Sequence, residues 1–280
     1  MRRVIYALLA FAFAFAPSAF ADDLSWLTGA QPAAPMNVNG WAGIYLGGQV
    51  SYSGAGGNFN NTTQGPVAFA LRNTTLEDQV MPSNWQVLGQ ANHGATGFGG
   101  FAGYNTQFER LVLGVEANYD QANLSLIAPN SPISRQTSAG GNIYDLTITG
   151  SGSVTDLNFG TLRARAGWAL GNFLPYAFTG VAVGHANVNI AATVSGIENP
   201  QNQPCTALGP ATPACVPFSF TGTAGKNGEW MVGFTFGGGL DVALTRNVFL
   251  RAEYEYVQFA PIANLVVDVN SVRGGLGVKF

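Results

Sequence analysis

Few side chains in this 280-residue sequence could do chemistry. The histidines are His93 and His185, which stand far apart without the ligand spacing of a metal site. His185 with Ser195 or Glu198 could supply the groups of a hydrolase, but no motif around them supports this. We favour a polar residue near the outer rim of the fold as the role of His185. The sequence therefore predicts no catalytic residue, no metal ligand and no cofactor.

The scarcity of charged residues is the main compositional feature of the chain. Only 10% of the residues are charged, whereas ordinary soluble domains carry about a quarter. The formal net charge of −3 at pH 7 indicates no basic face, so we expect no nucleic acid among the partners. So little charged surface favours a protein whose outer surface is in contact with an apolar environment and not with water.

The N-terminus, MRRVIYALLAFAFAFAPSAFADD, has the parts of a secretory signal peptide. Two arginines precede an apolar run, and AFA at 19–21 gives the small-x-small cleavage pattern. An N-terminal membrane anchor is the alternative, but the run is short for a span of about 20 residues. We predict a signal peptide over residues 1–21, a flexible lead-in over 22–40 and a folded domain over 41–280.

The two cysteines, Cys205 and Cys215, lie close together in CTALGPATPAC. Two close cysteines in one segment of an exported chain favour a disulfide, with a free pair as the alternative. Closing so short a ring contributes about 2–3 kcal/mol in the loop-entropy description. We interpret the pair as a staple that orders one loop.

Eight segments after residue 40 alternate apolar with small or polar residues, the period of two that strands show. Each is about ten residues or longer, as a tilted membrane-spanning strand requires. The segments cover residues 41–53, 96–108, 111–120, about 154–169, about 174–190, 229–243, 248–259 and about 267–280. In the fifth segment the pattern does not decide which residues point outward and which point inward. Beyond residue 21, no apolar run in the sequence is long enough for a membrane helix.

The connections between these segments alternate between long and short. They cover about residues 54–95, 109–110, 121–153, 170–173, 191–227, 244–247 and 260–266. Membrane barrels join their strands by long extracellular loops and short periplasmic turns in this way. A soluble β-sandwich has no reason to place every long loop at one end. We therefore predict an all-β fold, an eight-stranded antiparallel up-and-down transmembrane β-barrel.

The charged residues of the segments share one face of the predicted barrel. An outward arginine would cost about 2–4 kcal/mol in mid-membrane, so these residues must face the lumen. Their mixed signs predict a salt-bridged interior, since an unpaired buried charge is expensive. A soluble barrel with its aromatic residues packed inward is the alternative, for which eight strands leave too little room. The predicted lumen charge network consists of Glu116, Arg163, Arg165, Arg251, Glu253, Glu255 and Arg273.

Five segments together carry a resemblance to a known family. They are WAGIYLGGQVSYS, TLRARAGWA, LPYAFTGVAVG, RAEYEYVQF and SVRGGLGVKF. These segments resemble the small outer-membrane barrel proteins of Gram-negative bacteria, the OmpA-like, porin-family surface antigens common in alphaproteobacteria. The resemblance covers about residues 41–280, with the long loops least matched. It implies a location in the bacterial outer membrane.

The resemblance also implies a role for the last segment, SVRGGLGVKF. In the family, the terminal aromatic strand is the insertion signal that the outer-membrane barrel assembly machinery reads. In this sequence the signal would be Phe280, with Val278 and Leu276 on the same face. We expect the last segment to pair with the first and so to leave no open sheet edge in the membrane.

The resemblance implies a structural and surface-interaction role without catalysis, and this is our leading hypothesis. The expected partners are outer-membrane lipid, lipopolysaccharide and an external surface or host ligand. The loops would meet that ligand through aromatic residues such as Phe59, Phe69 and Trp85. The alternative is a narrow porin-like channel for small solutes, which needs a water path past the lumen charges. An outer-membrane enzyme acting on lipid through His185 is a third hypothesis.

Overall fold

The computed structural model describes residues 40–199, 215–225 and 227–280. The predicted signal peptide, nearly all of the predicted lead-in and Cys205 lie outside these residues. The domain boundaries and the disulfide between Cys205 and Cys215 therefore stay predictions.

Ten strands make up most of the described chain, and eight of them close into an antiparallel barrel. The strands are β1 (Gly43–Asn58), β2 (Gln90–Phe108), β3 (Leu111–Ile127), β4 (Ile133–Ala139), β5 (Asn142–Trp168), β6 (Phe173–Asn199), β7 (Val216–Ala224), β8 (Glu229–Ala243), β9 (Val248–Phe259) and β10 (Val266–Lys279). The barrel consists of β1, β2, β3, β5, β6, β8, β9 and β10, each paired with its two neighbours. The predicted eight-stranded barrel is confirmed.

The first and last barrel strands pair side by side and close the sheet. In their register, Leu46 of β1 lies opposite Val278 of β10, and Val50 lies opposite Gly274. The backbone N–H of Phe280 continues the pairing by donating to the carbonyl of Ile44 at 2.9 Å. Every barrel strand therefore has a partner on both sides, which is the condition for crossing a membrane without exposing backbone groups.

Three short turns lie at one end of the barrel, which we call the turn end. They cover residues 109–110, 169–172 and 244–247. Gly171 adopts a φ of +63° in the second of them, a conformation that glycine takes without strain. The long connections lie at the opposite end, which we call the loop end.

The loop end contains more regular structure than the sequence predicted. Strands β5 and β6 each run for 27 residues, well past the barrel, and β4 and β7 pair along their outer edges. We call the resulting four-stranded sheet the head sheet; it consists of β4, residues 142–155 of β5, residues 187–199 of β6, and β7. The prediction of loops was therefore wrong over residues 121–153 and over the described part of 191–227. The serine- and threonine-rich alternation of these segments does not stand out in the sequence as a strand pattern.

A β-bulge separates the barrel part of β5 from its head part. Thr155 lies opposite Asn187 and Asn158 opposite His185, so β5 has one residue more than β6 between these pairs. The extra residue reverses the facing of β5. Odd-numbered residues of β5 such as Arg163 point inward below the bulge, and even-numbered ones such as Ile148 are buried above it.

The first long connection, residues 59–89 between β1 and β2, folds over the loop end of the barrel. It forms helix α1 (Gln64–Ala70), helix α2 (Thr75–Val80) and a short 3₁₀ turn at Pro82–Asn84. Within the described ranges, no helix is both long and apolar enough to span a membrane. Val67 and Leu71 are fully buried and belong to one apolar core with the inner face of the head sheet. The connection thus covers the inner face of the head sheet and the mouth of the barrel together.

The barrel wall is apolar on the outside over its whole circumference. The exposed apolar side chains include Ile44, Leu46, Val50, Phe98, Leu113, Val115, Leu162, Val181, Val232, Phe234, Leu250, Val272 and Leu276. The fifth predicted segment, ambiguous in sequence, turns Tyr176 and Phe178 inward and Val181 and Val183 outward. This outer band is the surface that a bilayer covers.

Candidate functional site: the charged lumen

Nine charged side chains form one layer across the middle of the lumen. Each residue is exposed by 4% or less. The layer consists of Arg163, Arg165, Arg251, Arg273, Glu116, Asp120, Asp241, Glu253 and Glu255. It contains all seven residues that the sequence analysis placed in the lumen, together with Asp120 and Asp241, which it missed. The alternation of inward and outward positions along a strand could have identified both residues. Asp120 lies four residues after Glu116 and so on the same face, and Asp241 lies between the outward-facing Leu240 and Val242.

Arg163 of β5 is the centre of the layer because it contacts three carboxylates. Its Nε donates to Oε1 of Glu116 at 3.1 Å. Its Nη1 lies 2.8 Å from Oε1 of Glu253 and 3.2 Å from Oε1 of Glu255. One guanidinium thus joins three strands, β3, β5 and β9, through the lumen.

Arg165 and Arg251 hold a second group of contacts nearer the turn end. Nη2 of Arg165 lies 2.7 Å from Oδ2 of Asp241, and Nε of Arg251 lies 2.8 Å from Oδ1 of the same carboxylate. Both arginines also contact Oε2 of Glu116, at 3.1 and 2.8 Å. The hydroxyl of Tyr45 donates to that oxygen at 2.6 Å. Glu116 is therefore shared by three arginines and a tyrosine.

Arg273 of β10 completes the layer on the side of the closing strand. Its Nε donates to Oδ2 of Asp120 at 2.8 Å, and its Nη1 to Oε1 of Glu253 at 3.3 Å. It also forms an ion pair with Glu255. The hydroxyl of Ser51 donates to Asp120 at 2.7 Å. The network therefore reaches strand β1 as well, and it ties the two strands that close the barrel.

Neutral donors support the carboxylates because the layer has five carboxylates and four arginines. The hydroxyl of Tyr176 donates to Glu253 at 2.7 Å, and that of Thr235 to Glu255 at 2.7 Å. Hydrogen bonds to a carboxylate stabilise its charge in a buried setting. The polar residues of the lumen thus offset the extra negative charge.

Aromatic rings pack against the arginines within the layer. The guanidinium carbon of Arg251 lies 4.0 Å from the centre of the Phe101 ring, and that of Arg163 lies 4.1 Å from the centre of the Phe178 ring. A cation over an aromatic face in a desolvated site is stabilised by about 2 kcal/mol. The rings also occupy the space that water would need between the charges.

Apolar clusters close the lumen on both sides of the charged layer. At the turn end, the rings of Trp41, Tyr45, Phe101 and Phe249 pack together with centres about 6 Å apart. Phe249 meets Trp41 and Tyr45 edge to face, and Phe101 is tilted against both Tyr45 and Phe249. Toward the loop end, the layer meets an apolar core that includes Leu157, Phe159, Val257, Phe259 and Met231. The lumen is therefore filled in three successive layers, aromatic, ionic and apolar.

The residues considered for other chemistry do not come together. His185 points out of the barrel wall, and its ring centre lies 5.1 Å from that of Trp230. Ser195 lies ten residues further along the same strand, which separates the two residues by about 33 Å. The carboxylate of Glu198 accepts hydrogen bonds from Asn142 and Tyr144. In the part of the chain that the structure describes, no group of histidine, cysteine or acidic side chains could hold a metal ion.

The residues of the predicted assembly signal lie on the outer surface at the turn end. Leu276 and Phe280 are exposed, and Val278 is half-buried on the same face. The pairing of β10 with β1 and β9 accounts for their position. The location is consistent with an aromatic girdle at a membrane interface, but reading by the assembly machinery stays a prediction.

A closed antiparallel barrel with an apolar outer band and a packed, charged lumen defines a β-barrel protein of the membrane-spanning class. The family model of the outer membrane protein beta-barrel domain matches residues 7–280, and the chain belongs to this family. The predicted outer-membrane location is confirmed. The turn end is accordingly the periplasmic end and the loop end is the extracellular end.

Relatives of known name agree with the family. The 31 kDa outer-membrane immunogenic protein of Brucella melitensis is 29% identical over 297 residues, with both chains covered completely. The 25 kDa outer-membrane immunogenic protein of Brucella ovis is 26% identical over 274 residues, covering 95% of this chain and 92% of that protein. These similarities confirm the resemblance to alphaproteobacterial surface antigens.

Among solved structures, the chain shows a similarity to that of Neisserial surface protein A. It is 14% identical, has a TM-score of 0.37, and the match covers 85% of this chain and 98% of that chain. The strand pairing of this chain by itself establishes the closed barrel.

Proposed function

We propose that this protein is a closed, non-catalytic barrel that holds an ordered head at the cell surface and contributes to envelope integrity and surface contact. The observation that carries the proposal is the continuity of the apolar packing from the extracellular half of the lumen into the head. The apolar core joins Phe159 and Phe259 of the barrel to Val67 and Leu71 of the first connection. A barrel packed in this way acts as a rigid support for its head.

The narrow-channel alternative is not favoured by the packing of the lumen. A water path would have to pass the Arg163 network and both apolar clusters, and it would break several buried ion pairs. Opening such a path costs the desolvation energy of each charge left unpaired. The charged layer supports the closed state of the barrel.

Two aromatic side chains of the described part of the head are exposed to an external partner, Phe69 of α1 and, to a smaller extent, Phe220 of β7. Phe69 of α1 is 61% exposed, with the guanidinium of Arg72 4.0 Å from its ring centre. Trp85 is half-buried, and the guanidinium of Arg135 lies 4.6 Å from its ring centre. Phe59 is fully buried, so its predicted contact with a partner is wrong. It packs against Gly57 and Gly152 at the extracellular mouth of the barrel and excludes water there.

The closed state predicts the electrical behaviour of the purified protein. Refolded protein added to a planar lipid bilayer should give no single-channel current steps, because the lumen holds no continuous water path. A general diffusion porin in the same bilayer serves as the positive control. Reproducible steps of one conductance from pure protein would overturn the closed barrel and restore the channel hypothesis.

The proposed role in the cell predicts two separable losses. Cells without the protein should be more sensitive to detergent and should adhere less to surfaces, and the native chain should restore both. The Phe69→Ser variant should restore detergent resistance, because Phe69 lies outside the packed core, but should restore adhesion only in part. Unchanged detergent resistance and adhesion in cells without the protein would contradict the proposed function.

A further inference from the structure

The outer face of the head sheet carries rows of hydroxyl groups. One row consists of Thr149, Thr193 and Thr221, which lie opposite one another on β5, β6 and β7. The next row consists of Ser134, Thr147, Ser195 and Ser219 on all four strands. We call this surface the hydroxyl face. Neighbouring strands are about 4.8 Å apart, so the hydroxyls form a regular grid.

The hydroxyl face is nearly free of charge. Among its described residues there is no lysine or arginine, and Asp145, which accepts a hydrogen bond from Gln136 at 2.9 Å, lies at the outer end of the rows. Two pairs of hydroxyls bond within a row, Ser134 with Thr147 and Thr193 with Thr221, each at 2.9 Å. Each hydroxyl can donate one hydrogen bond and accept two, so the face keeps capacity for an uncharged polar partner.

The two faces of the head sheet differ in what covers them. Helix α1 and the rest of the first connection pack on the inner face, where Ile148, Val188 and Val194 are fully buried. The outer face instead continues the lipid-facing wall of the barrel. Along β6, the outward residues change from Val181 and Val183 to His185 beside the Trp230 ring. The next outward residues are Asn187, Asn189 and Ala191, and Thr193 and Ser195 follow them.

This continuity determines what surrounds the hydroxyl face in the cell. The apolar band below it contacts acyl chains, and tryptophan and tyrosine rings lie at the membrane interface. The hydroxyl face lies beyond that interface on the outer side of the barrel, with Thr193 eight residues along β6 from His185, which pairs with Trp230. The outer leaflet at this height consists of the sugars of lipopolysaccharide, which present many hydroxyls and can pair with serine and threonine without ionic contacts.

We propose that the hydroxyl face docks the sugar chain of the lipopolysaccharide molecules that surround the barrel. The inference goes beyond the proposed function and is independent of it, because it concerns the neighbour of the protein in the membrane. The proposal assigns a partner to the face of the head sheet on which α1 does not pack. Phe69 and the hydroxyl face thus belong to different surfaces of the head.

A photoreactive side chain placed at position 193 tests this contact directly. The protein is reconstituted in vesicles of lipopolysaccharide with its full sugar chain, or of lipid A alone, and irradiated. We expect adducts with full lipopolysaccharide and few with lipid A. Position 137, on the opposite face of β4, is the matched control and should give several-fold fewer adducts. Equal yields at both positions, or adducts between two copies of the chain, would overturn the proposal.

A second variant tests the hydroxyls themselves. Valine matches threonine in shape and favours strands, so Thr149→Val with Thr193→Val removes two hydroxyls and leaves the sheet intact. With the photoreactive side chain at position 219, the yield of lipopolysaccharide adducts should fall several-fold in this double variant. Thr137→Val is the control and should leave the yield unchanged. An unchanged yield in the double variant, with a normally folded barrel, would also overturn the proposal.

Discussion

Replacing Arg163 by methionine will destabilise the folded barrel by about 3–5 kcal/mol, the cost of removing one partner from a buried ion pair. Arg163 contacts Glu116, Glu253 and Glu255 at the centre of the lumen. Methionine keeps most of the apolar stem and removes the charge, so the layer would hold three arginines against five carboxylates. Each of these carboxylates keeps at least one arginine, since Arg165 and Arg251 contact Glu116 and Arg273 contacts Glu253 and Glu255. These arginines also pair with Asp241 and Asp120, so they cannot replace the contacts that Arg163 makes.

The free energy of unfolding in urea, measured in lipid vesicles from both the folded and the unfolded side, checks this expectation. Arg135→Met is the matched control, because Arg135 is exposed on the head and contacts the Trp85 ring. Its loss should cost no more than about 1 kcal/mol. If both variants lost the same small amount, the lumen network would not be a major source of stability.

Replacing Phe280 by serine should strongly reduce the amount of barrel assembled in the outer membrane of living cells. The ring of Phe280 is 72% exposed and points away from the barrel, so it adds little to internal packing. Its backbone N–H bonds to Ile44, and serine would keep that bond. The variant therefore separates recognition of the ring during assembly from the stability of the folded barrel.

Assembly in cells is compared with spontaneous refolding of the same variant in lipid vesicles. Refolding in vesicles should be close to that of the native chain, because no assembly machinery takes part. Phe108→Ser is the matched control: Phe108 is 60% exposed at the same end of the barrel but lies inside the chain. Equal assembly of the two variants in cells would show that Phe280 has no special role.

The strand faces could be read from the sequence because each position of a membrane barrel has only two environments. In TLRARAGWA, Leu162 faces outward and Arg163 inward, and a shift by one residue would place the arginines in lipid. The cost of such an error is several kcal/mol per charge. The alternation is therefore strict in the barrel, and its signal is local.

The same reasoning failed above the membrane, where both faces of a strand can meet water. Within the head part of β5, residues 145–155 alternate threonine and serine with apolar residues or glycine, and this alternation has the same period. Without the lipid constraint, however, it resembles a polar loop. The burial of Leu146 and Ile148 depends on the first connection, which is distant in sequence. The buried position of Phe59 was missed for the same reason.

The sequence by itself determined the barrel, its strand number and the set of residues that face lipid, because lipid excludes charge at every outward position. It also placed seven of the nine lumen charges on one face. Only the tertiary structure decided which charges pair, since Arg251 and Glu116 are separated by 135 residues. It alone decided that side chains fill the lumen and that, within the described residues, the first connection packs on only one face of the head sheet. These properties depend on contacts between distant segments, which no local pattern encodes.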